Sequence, residues 1–255
     1  MKYGLQTFSL DLAGQQWDVD ISEEELSTLH RPLLDTIISQ AQATSGRYIV
    51  LLAGPPGCGK TTLGALWEIL SRETRSSLTF QTLPMDGFHL PNAILDAQTI
   101  LRDGETIPLR KIKGAPESYN RDLFHKVLKK LVGGEKLAWP RYDRQIHDPV
   151  PDAIPVAKKG IFIIEGNYVL LNEPVWRDFK TLADMTIFIE CDESLARERV
   201  VARLQRGGRT YEIATTHYEF NDKSNWQRVM NHRLESDVVL RVEEGGRLLQ
   251  VKYMQ

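Results

Sequence analysis

Cysteine is scarce in this 255-residue chain, and neither sign of charge is in excess. The two cysteines, Cys58 and Cys191, are too few for a disulfide framework, which favours a reduced, cytoplasmic protein. The 32 basic and 34 acidic residues leave a net charge of −2, so the composition predicts no broad binding to nucleic acid. The sequence also lacks a long apolar run and a signal-peptide pattern, so we expect no membrane partner.

Short apolar segments alternate with amphipathic ones, without repeats or low-complexity tracts. Strands are predicted at 47–53, 78–84, 160–166, 185–190 and 237–242, with 248–252 returning on the last of these across "EEGG". Helices are predicted at 60–73, 119–132, 193–206 and within 210–234. This alternation predicts a single α/β domain over 1–255, with a mostly parallel central sheet flanked by helices. Residues 99–118 and 139–158, rich in glycine, proline and charge, are interpreted as loops.

The first 46 residues are interpreted as a helical extension that leads into the sheet. Apolar residues recur at helical spacing over 21–43, and Ser22 with Glu25 forms a capping-box pattern. Pro32 should break or kink this helix, because its ring removes a backbone donor.

The most specific motif is "GPPGCGKT", which follows a predicted strand and opens a predicted helix. Glycines allow a tight turn whose N–H groups approach phosphate oxygens, and the helix N-terminus adds its dipole. Lys60 would contact the β- and γ-phosphates, and the Thr61 hydroxyl would bind Mg²⁺. Cys58 is interpreted as a small residue filling its place, rather than as a redox switch. The predicted nucleotide site comprises Gly54, Pro55, Pro56, Gly57, Cys58, Gly59, Lys60, Thr61 and Thr62.

Two carboxylates follow apolar strands and precede glycines. Asp86 follows the predicted strand at 78–84 by two residues, and Glu165 lies at the end of the predicted strand at 160–166. The carboxyl ends of parallel strands are where open α/β sheets bind ligands, so each residue could accept a proton or hold Mg²⁺. The alternatives are a turn-forming Asp-Gly pair and a strand-terminal glutamate in solvent.

The phosphate-binding loop alone leaves a motor, a switch and a kinase open. In their order and spacing, however, five further segments resemble the P-loop kinases that include uridine kinase, phosphoribulokinase and bacterial type I pantothenate kinase. These segments are "ISEEELSTLHRPLLDTI", "MDGFHLPN", "KGAPESYN", "PRYDRQIHDPVPD" and "IIEGNYVLL". The resemblance implies a P-loop NTPase fold and a phosphotransferase that uses ATP and Mg²⁺ to phosphorylate a hydroxyl group of a small molecule.

The resemblance also implies roles for individual residues. Asp86 would be the general base, Lys60 would stabilise the transferring phosphoryl group, and Thr61 with Glu165 would hold Mg²⁺. Tyr142 and His147 match positions that contact the acceptor, and the prolines that follow should keep their loop extended and stiff.

An arginine-bearing lid is the last implied feature, placed at about 193–225. Arg199, Arg203 and Arg206 share one face of a predicted helix, and the resemblance implies that Arg203 and Arg206 contact the ATP phosphates. The alternative is a solvated face, with Glu193 pairing to Arg197.

The sequence departs from these relatives on the acceptor side. Uridine kinases carry an aspartate two residues before the proline of the third motif, where Gly114 stands here. Asp143 and His147 differ from the residues that are usual in pantothenate kinases. With Arg144 they would make a more polar pocket, suited to a sugar or another polyol, and the acceptor is not identified.

Three hypotheses therefore follow from the sequence. The favoured one is a metabolite kinase with Asp86, Tyr142, Asp143 and His147 in its acceptor site. A nucleotide-hydrolysing switch or regulatory ATPase or GTPase is the alternative, and a nucleic-acid-processing ATPase is the third, disfavoured by the balanced charge. The oligomeric state is left open, with a homodimer as one option.

Overall fold

A six-stranded sheet forms the centre of the protein. The computed structural model describes residues 4–12, 15–44, 46–74, 76–102 and 104–253. Its strands are β3 (Arg47–Ala53), β4 (Phe80–Pro84), β9 (Gly160–Gly166), β10 (Met185–Glu190), β11 (Val238–Val242) and β12 (Leu248–Tyr253). Across the sheet they lie in the order β12-β11-β10-β3-β9-β4.

Strand direction confirms the predicted α/β topology. All neighbouring pairs from β4 to β11 are parallel, and β12 returns antiparallel to β11 as the "EEGG" hairpin predicts. Every residue of β3 and β9 is buried, because helices cover both faces of the sheet. Successive residues alternate between two cores: Val50 and Leu52 face one side, whereas Ile49 and Leu51 face the other.

Helices and a cluster of aromatic residues cover the two faces. The first face carries α2 (Arg31–Gln42) and α3 (Lys60–Glu73). The second carries α5 (Arg121–Val132) and a core of aromatic side chains. α5 begins at Arg121, after the Asn120 N-cap, two residues later than the helix predicted at 119–132.

The N-terminal extension differs from the prediction, because it starts as a β-hairpin. β1 (Leu5–Leu12) pairs antiparallel with β2 (Gln15–Ser22), and helix follows only from Glu23. Phe8 and Leu10 alternate inward and join the first core, which is the period-two pattern of a half-buried strand.

Pro32 does not break the helix that follows the hairpin. The short α1 (Glu23–Glu25) continues through a π turn at Leu26–His30 into α2, and Pro32 occupies the first turn of α2. In this turn the Arg31 N–H donates to the Leu26 carbonyl, one residue farther back than in an α-helix. The wider turn accommodates the proline ring. The predicted Ser22 cap is present, since its hydroxyl accepts from the Glu25 N–H.

Both segments interpreted as loops contain strands. β5 (Thr99–Arg102) and β6 (Glu105–Pro108) form one small hairpin, and α4 (Asn92–Ala97) precedes it. β7 (Ala138–Asp143) and β8 (Asp148–Pro155) form another, whose proline-rich strand is extended as predicted. Two-stranded ribbons tolerate prolines because each strand has a free edge. The buried Trp139 anchors β7 by donating to the Pro84 carbonyl at 2.9 Å.

The C-terminal helices form two arms beside the sheet. α6 (Glu193–Arg206) ends at Gly207, and α7 (Tyr211–His217) continues through a π turn at Tyr218–Asp222 into α8 (Lys223–Asn231). Arg197 pairs with Glu219 and Glu193 pairs with Lys223, so the Glu193–Arg197 pair of the alternative interpretation does not form. Among the described residues, no helix is long and apolar enough to cross a bilayer.

Candidate active site

The phosphate-binding loop connects β3 to α3 in the conformation that its glycines allow. Gly57 and Gly59 have φ angles of 83° and 95°, a left-handed region that residues with a Cβ rarely adopt. Gly59 is the N-cap of α3, so the loop leads directly to the positive end of that helix dipole. Such a loop presents backbone N–H groups to an anion. Cys58 is buried beneath it, as expected for a residue with a packing role.

Lys60 and Thr61 are the first two residues of α3, and their side chains have different hydrogen-bond partners. The buried Lys60 ammonium donates to the carbonyl oxygens of Gly54 and Pro55, at 2.9 and 3.0 Å. The Thr61 hydroxyl donates to Glu165 Oε1 at 3.0 Å. The sequence places Glu165 104 residues away, and the parallel pairing of β3 with β9 brings it to Thr61.

Glu165 fits a cation site. Burial raises the pKa of the Glu165 carboxyl, the nearby Asp86 charge raises it further, and Lys60 with the Thr61 hydroxyl does not compensate. The raised pKa means that the surroundings of this carboxyl group supply too little positive charge to offset its burial. A hydroxyl oxygen and a carboxylate oxygen together are ligands that Mg²⁺ accepts. Among the described residues, no group of three or more His, Cys, Asp or Glu side chains is arranged to hold a metal ion.

Asp86 lies in the turn that ends β4, at the same sheet edge as Glu165. The buried Tyr119 hydroxyl donates to Asp86 Oδ1 at 3.0 Å. Gly87 allows this turn to pack against β7, since a Cβ there would stand 2.1 Å from the Pro140 carbonyl oxygen. The turn is therefore held by the backbone of the β7–β8 hairpin.

The surroundings of Asp86 favour its charged form. Burial raises its pKa, but this effect is outweighed, and the pKa is held below its usual value. The opposing causes are His89, the Tyr119 hydrogen bond, Arg144 and Arg203, in decreasing order. An ionised carboxylate beside the phosphate loop can accept a proton from a hydroxyl.

Aromatic rings line the side of Asp86 away from the phosphate loop. The His89 ring stacks on Tyr119 with centroids 3.9 Å apart and lies 5.0 Å from Tyr142. His89 Nδ1 lies 2.8 Å from the Asp86 carbonyl, which accepts only from a protonated Nδ1. Burial lowers the pKa of His89, and the Asp86 charge with the hydrogen bond to its carbonyl opposes this only in part. Lys113 completes this wall, its ammonium 4.8 Å from the Tyr142 ring centroid.

The three predicted acceptor residues of the β7–β8 hairpin lie in three different environments. Tyr142 faces His89 and the Asp86 side of the cleft. Asp143 instead closes the turn, because its Oδ1 accepts from the Gln145 and Ile146 N–H groups at 2.8 and 3.3 Å. His147 is exposed and has a left-handed backbone with φ 53°. Its carbonyl, rather than its ring, makes the contacts of this residue that define the site.

The structure separates the three lid arginines. Arg199 lies above the phosphate loop, its Nη1 3.9 Å from the Cβ position at Gly59. Arg203 is close enough to Asp86 to lower the pKa of that carboxyl. The Arg206 guanidinium stacks 4.5 Å above the Trp17 ring of β2. The contact of Arg206 with the ATP phosphates stays a prediction.

Several residues that line the cleft escape prediction from the sequence. Tyr119, His89 and Lys113 lie in segments whose resemblance is visible, but their roles depend on contacts that the linear order does not show. Arg144 also lowers the pKa of Asp86 from the hairpin. The signal that could have found Tyr119 is a phenol placed directly before a helix and opposite a strand-end aspartate.

This geometry agrees with what related sequences indicate. A sequence model described as "Phosphoribulokinase / Uridine kinase family" matches residues 49–244. The chain belongs to this family. It is therefore a P-loop kinase, and the hairpin at 5–22 lies outside the matched region.

Curated relatives cover most of the chain. An uncharacterized protein of Escherichia coli (strain K12), YggC, is 36% identical over 239 residues, which is 93% of this chain and 96% of that protein. A Schizosaccharomyces pombe protein provisionally named a uridine kinase is 36% identical over 200 residues, covering 76% of this chain and 83% of the relative. A pantothenate kinase of Streptococcus equi subsp. zooepidemicus is 30% identical over 174 residues, with 68% of this chain matching 52% of that enzyme.

Solved structures share the fold. A Silicibacter sp. TM1040 protein provisionally named a fructose transport system kinase superposes with a TM-score of 0.74 and 29% identity, over 83% of this chain and 98% of that one. A D-glycerate 3-kinase from Cryptococcus neoformans superposes with a TM-score of 0.63 over 89% of this chain and 99% of that one. At 12% identity, the second likeness shows the fold alone.

Proposed function

We propose that the protein transfers the γ-phosphoryl group of ATP to a hydroxyl group of a small metabolite, with Asp86 as the general base. The observation that carries this proposal is the placement of Asp86 beside Glu165 and opposite the phosphate loop, with its pKa held low. A switch that only hydrolyses nucleotide has no need of a base walled off by Tyr119, His89 and Tyr142.

The proposed roles follow from the geometry. Backbone N–H groups of the loop and Lys60 bind the β- and γ-phosphates, and Arg203 approaches the transferring group from α6. Thr61 and Glu165 would hold Mg²⁺, which would supply positive charge to phosphate oxygens when bound. Asp86 accepts the proton of the attacking hydroxyl as the new O–P bond forms, while the bond from the γ-phosphorus to the bridging oxygen breaks and ADP leaves. These residues act mainly by positioning and by stabilising charge.

The acceptor side supports a polar substrate. Tyr142, Lys113 and His89 offer hydrogen-bonding groups and aromatic faces within one wall. A relative named a fructose transport system kinase and others named pantothenate and uridine kinase all imply hydroxyl-bearing acceptors. We propose a sugar-like or polyol-like acceptor. We propose that His147 of the β7–β8 hairpin contacts this acceptor, whereas Asp143 maintains the turn of the hairpin.

A phosphotransfer screen tests this function. γ-Labelled ATP is offered with pantothenate, nucleosides, sugars and sugar acids, with Lys60→Ala as the blank. We expect label on one class of compound, and Asp86→Asn should retain ATP binding while losing about 100-fold or more in turnover. Vigorous hydrolysis that no compound diverts into phosphorylated product would instead identify a nucleotide-hydrolysing switch. Unchanged turnover in Asp86→Asn would remove Asp86 from the mechanism.

A further inference from the structure

Lys113 connects three segments that are far apart in the sequence. Its ammonium donates to Asn92 Oδ1 and to the His147 carbonyl, both at 2.7 Å, and lies over the Tyr142 ring. Asn92 begins α4 behind the Asp86 turn, whereas Tyr142 and His147 belong to the β7–β8 hairpin. One side chain therefore joins the base turn to the acceptor hairpin.

Asn92 also makes hydrogen bonds of its own to the β7–β8 hairpin. Its amide Nδ2 donates to the His147 carbonyl at 2.9 Å, and its backbone N–H donates to Asp148 Oδ1 at 2.8 Å. The His147 carbonyl therefore accepts from Lys113 and from Asn92, which uses both of its lone pairs. Three hydrogen bonds therefore hold His147 and Asp148 at the start of β8, and a fourth joins Lys113 to Asn92.

The backbone at His147 needs such support. Its φ of 53° lies in the left-handed region, which is unfavourable for a residue with a Cβ. Strained residues of this kind persist only where their surroundings hold them. Because the hairpin tip is otherwise exposed, the contacts with Lys113 and Asn92 are what hold this conformation.

The charge of Lys113 is not committed to a carboxylate. Among the residues that the structure describes, no acidic side chain forms an ion pair with it, and its close partners are neutral oxygens and a ring. Its pKa is lowered to about 8, first by burial and then by the nearby Arg110 charge. The more distant carboxylates Asp148, Asp96 and Asp86 raise it only in part. His89 also faces Lys113, and the Lys113 charge lowers the His89 pKa.

We infer that Lys113 is a positioning residue that locks the β7–β8 hairpin, and with it Tyr142, at a fixed distance from Asp86. This inference rests on the proposed function for its kinetic consequence, but the structural lock itself does not need an acceptor. The ammonium strengthens bonds to the Asn92 and His147 oxygens because charge-assisted hydrogen bonds are stronger than neutral ones. A fixed hairpin presents the acceptor hydroxyl to Asp86 in a reactive geometry.

Hydrogen exchange measured by mass spectrometry tests the lock directly. In Lys113→Met we expect amides of the hairpin, 138–155, to exchange about 3- to 10-fold faster than in the native chain, because local opening becomes easier. The matched control is Lys111→Met, since Lys111 is exposed and makes none of these contacts. Asn92→Ala should reproduce the effect, and the double variant should be less than additive. Equal exchange in Lys113→Met and Lys111→Met would overturn the inference.

Kinetics distinguish this role from the proposed function as a whole. With an acceptor found in the screen, Lys113→Met should lower kcat/KM for that acceptor about tenfold or more and leave the KM for ATP within about twofold. The wild-type kcat/KM should decline as the pH rises through about 8, where Lys113 loses its charge. Lys113→Arg stays charged, so it should retain activity and lack this decline. Tyr142, with a pKa of about 12, does not titrate in this range.

The outcomes separate cleanly. If the native chain phosphorylates an acceptor and Lys113→Met does so with unchanged kinetics and pH profile, the positioning role is wrong while the kinase proposal stands. If the screen yields no phosphorylated product, the proposed function fails, and the exchange experiment still decides whether the lock exists. A uniform loss of protection across the whole chain in Lys113→Met would indicate a general folding defect and would also contradict a local lock.

Discussion

Tyr119 donates a hydrogen bond of 3.0 Å to Asp86 Oδ1, and the two residues come from separate motifs 33 positions apart. The phenol is buried, and its own pKa is raised well above the usual value, first by burial and then by the Asp86 charge. Tyr119 therefore stays protonated and keeps donating to the carboxylate.

Tyr119→Phe should move the acid limb of the pH–rate profile. The hydrogen bond lowers the pKa of Asp86, so its removal raises that pKa. Asp86 must be ionised to act as a base, and activity is lost as the pH falls through its pKa. We expect the acid limb of the pH–rate profile to move up by roughly 0.5–1 pH unit. An unmoved limb would show that Tyr119 does not influence the base.

Arg203 and Arg206 should differ in their effect on turnover, although both lie on α6. Arg203 acts on Asp86, whereas Arg206 stacks on Trp17. Arg203→Ala should lower kcat about 100-fold, because it removes positive charge next to the reacting groups. Arg206→Ala should cost less than about threefold. Steady-state kinetics of the two variants decide this, and equal losses would mean that Arg206 leaves Trp17 during turnover.

Glu165→Gln should separate stability from function. The pKa of Glu165 is raised by burial, so its ionised form is disfavoured in the folded state and stability declines as the pH rises through that pKa. In metal-free buffer at pH 8 we expect Glu165→Gln to melt roughly 1–4 °C higher than the native chain, and the difference should shrink near pH 4. Its Mg²⁺ requirement should rise about tenfold. A lower melting temperature at pH 8 would contradict the pKa direction.

Gly87→Ala should destabilise the chain without touching a catalytic group. A Cβ at Gly87 would stand 2.1 Å from the Pro140 oxygen and 2.5 Å from its carbonyl carbon, so the β7 backbone must move. We expect the melting temperature to fall by about 5–10 °C. Gly46→Ala is the matched control, because a Cβ at Gly46 meets nothing within 4 Å. Similar melting temperatures for both variants would mean that the hairpin yields without cost.

Local patterns were sufficient for the central sheet and the nucleotide loop. The strands at 47–53, 160–166 and 185–190 match their predicted bounds, because buried parallel strands are short continuous apolar runs. The predicted nucleotide loop lies between β3 and α3 as its motif requires. The alternating pattern of Phe8 and Leu10 is also present in the sequence. The stronger helical pattern at 21–43 nevertheless predicts a helical extension for residues 1–46 as a whole.

Proline and glycine content misled the assignment of 139–158. Prolines predict loops on average, yet a two-stranded ribbon with free edges accommodates them. The π turn before Pro32 is a similar case, since tertiary packing of α2 maintains a helix that local propensity would end.

The sequence by itself determined the family, the nucleotide loop, and the two strand-end carboxylates, Asp86 and Glu165. Each of these is encoded by contiguous residues whose local conformation sets their role. Only the tertiary structure decided that Tyr119 reaches Asp86, that Arg206 is held by Trp17, and that Lys113 joins Asn92 to His147. These contacts depend on how separate segments pack, and packing places residues together by burial and hydrogen-bond geometry rather than by order along the chain.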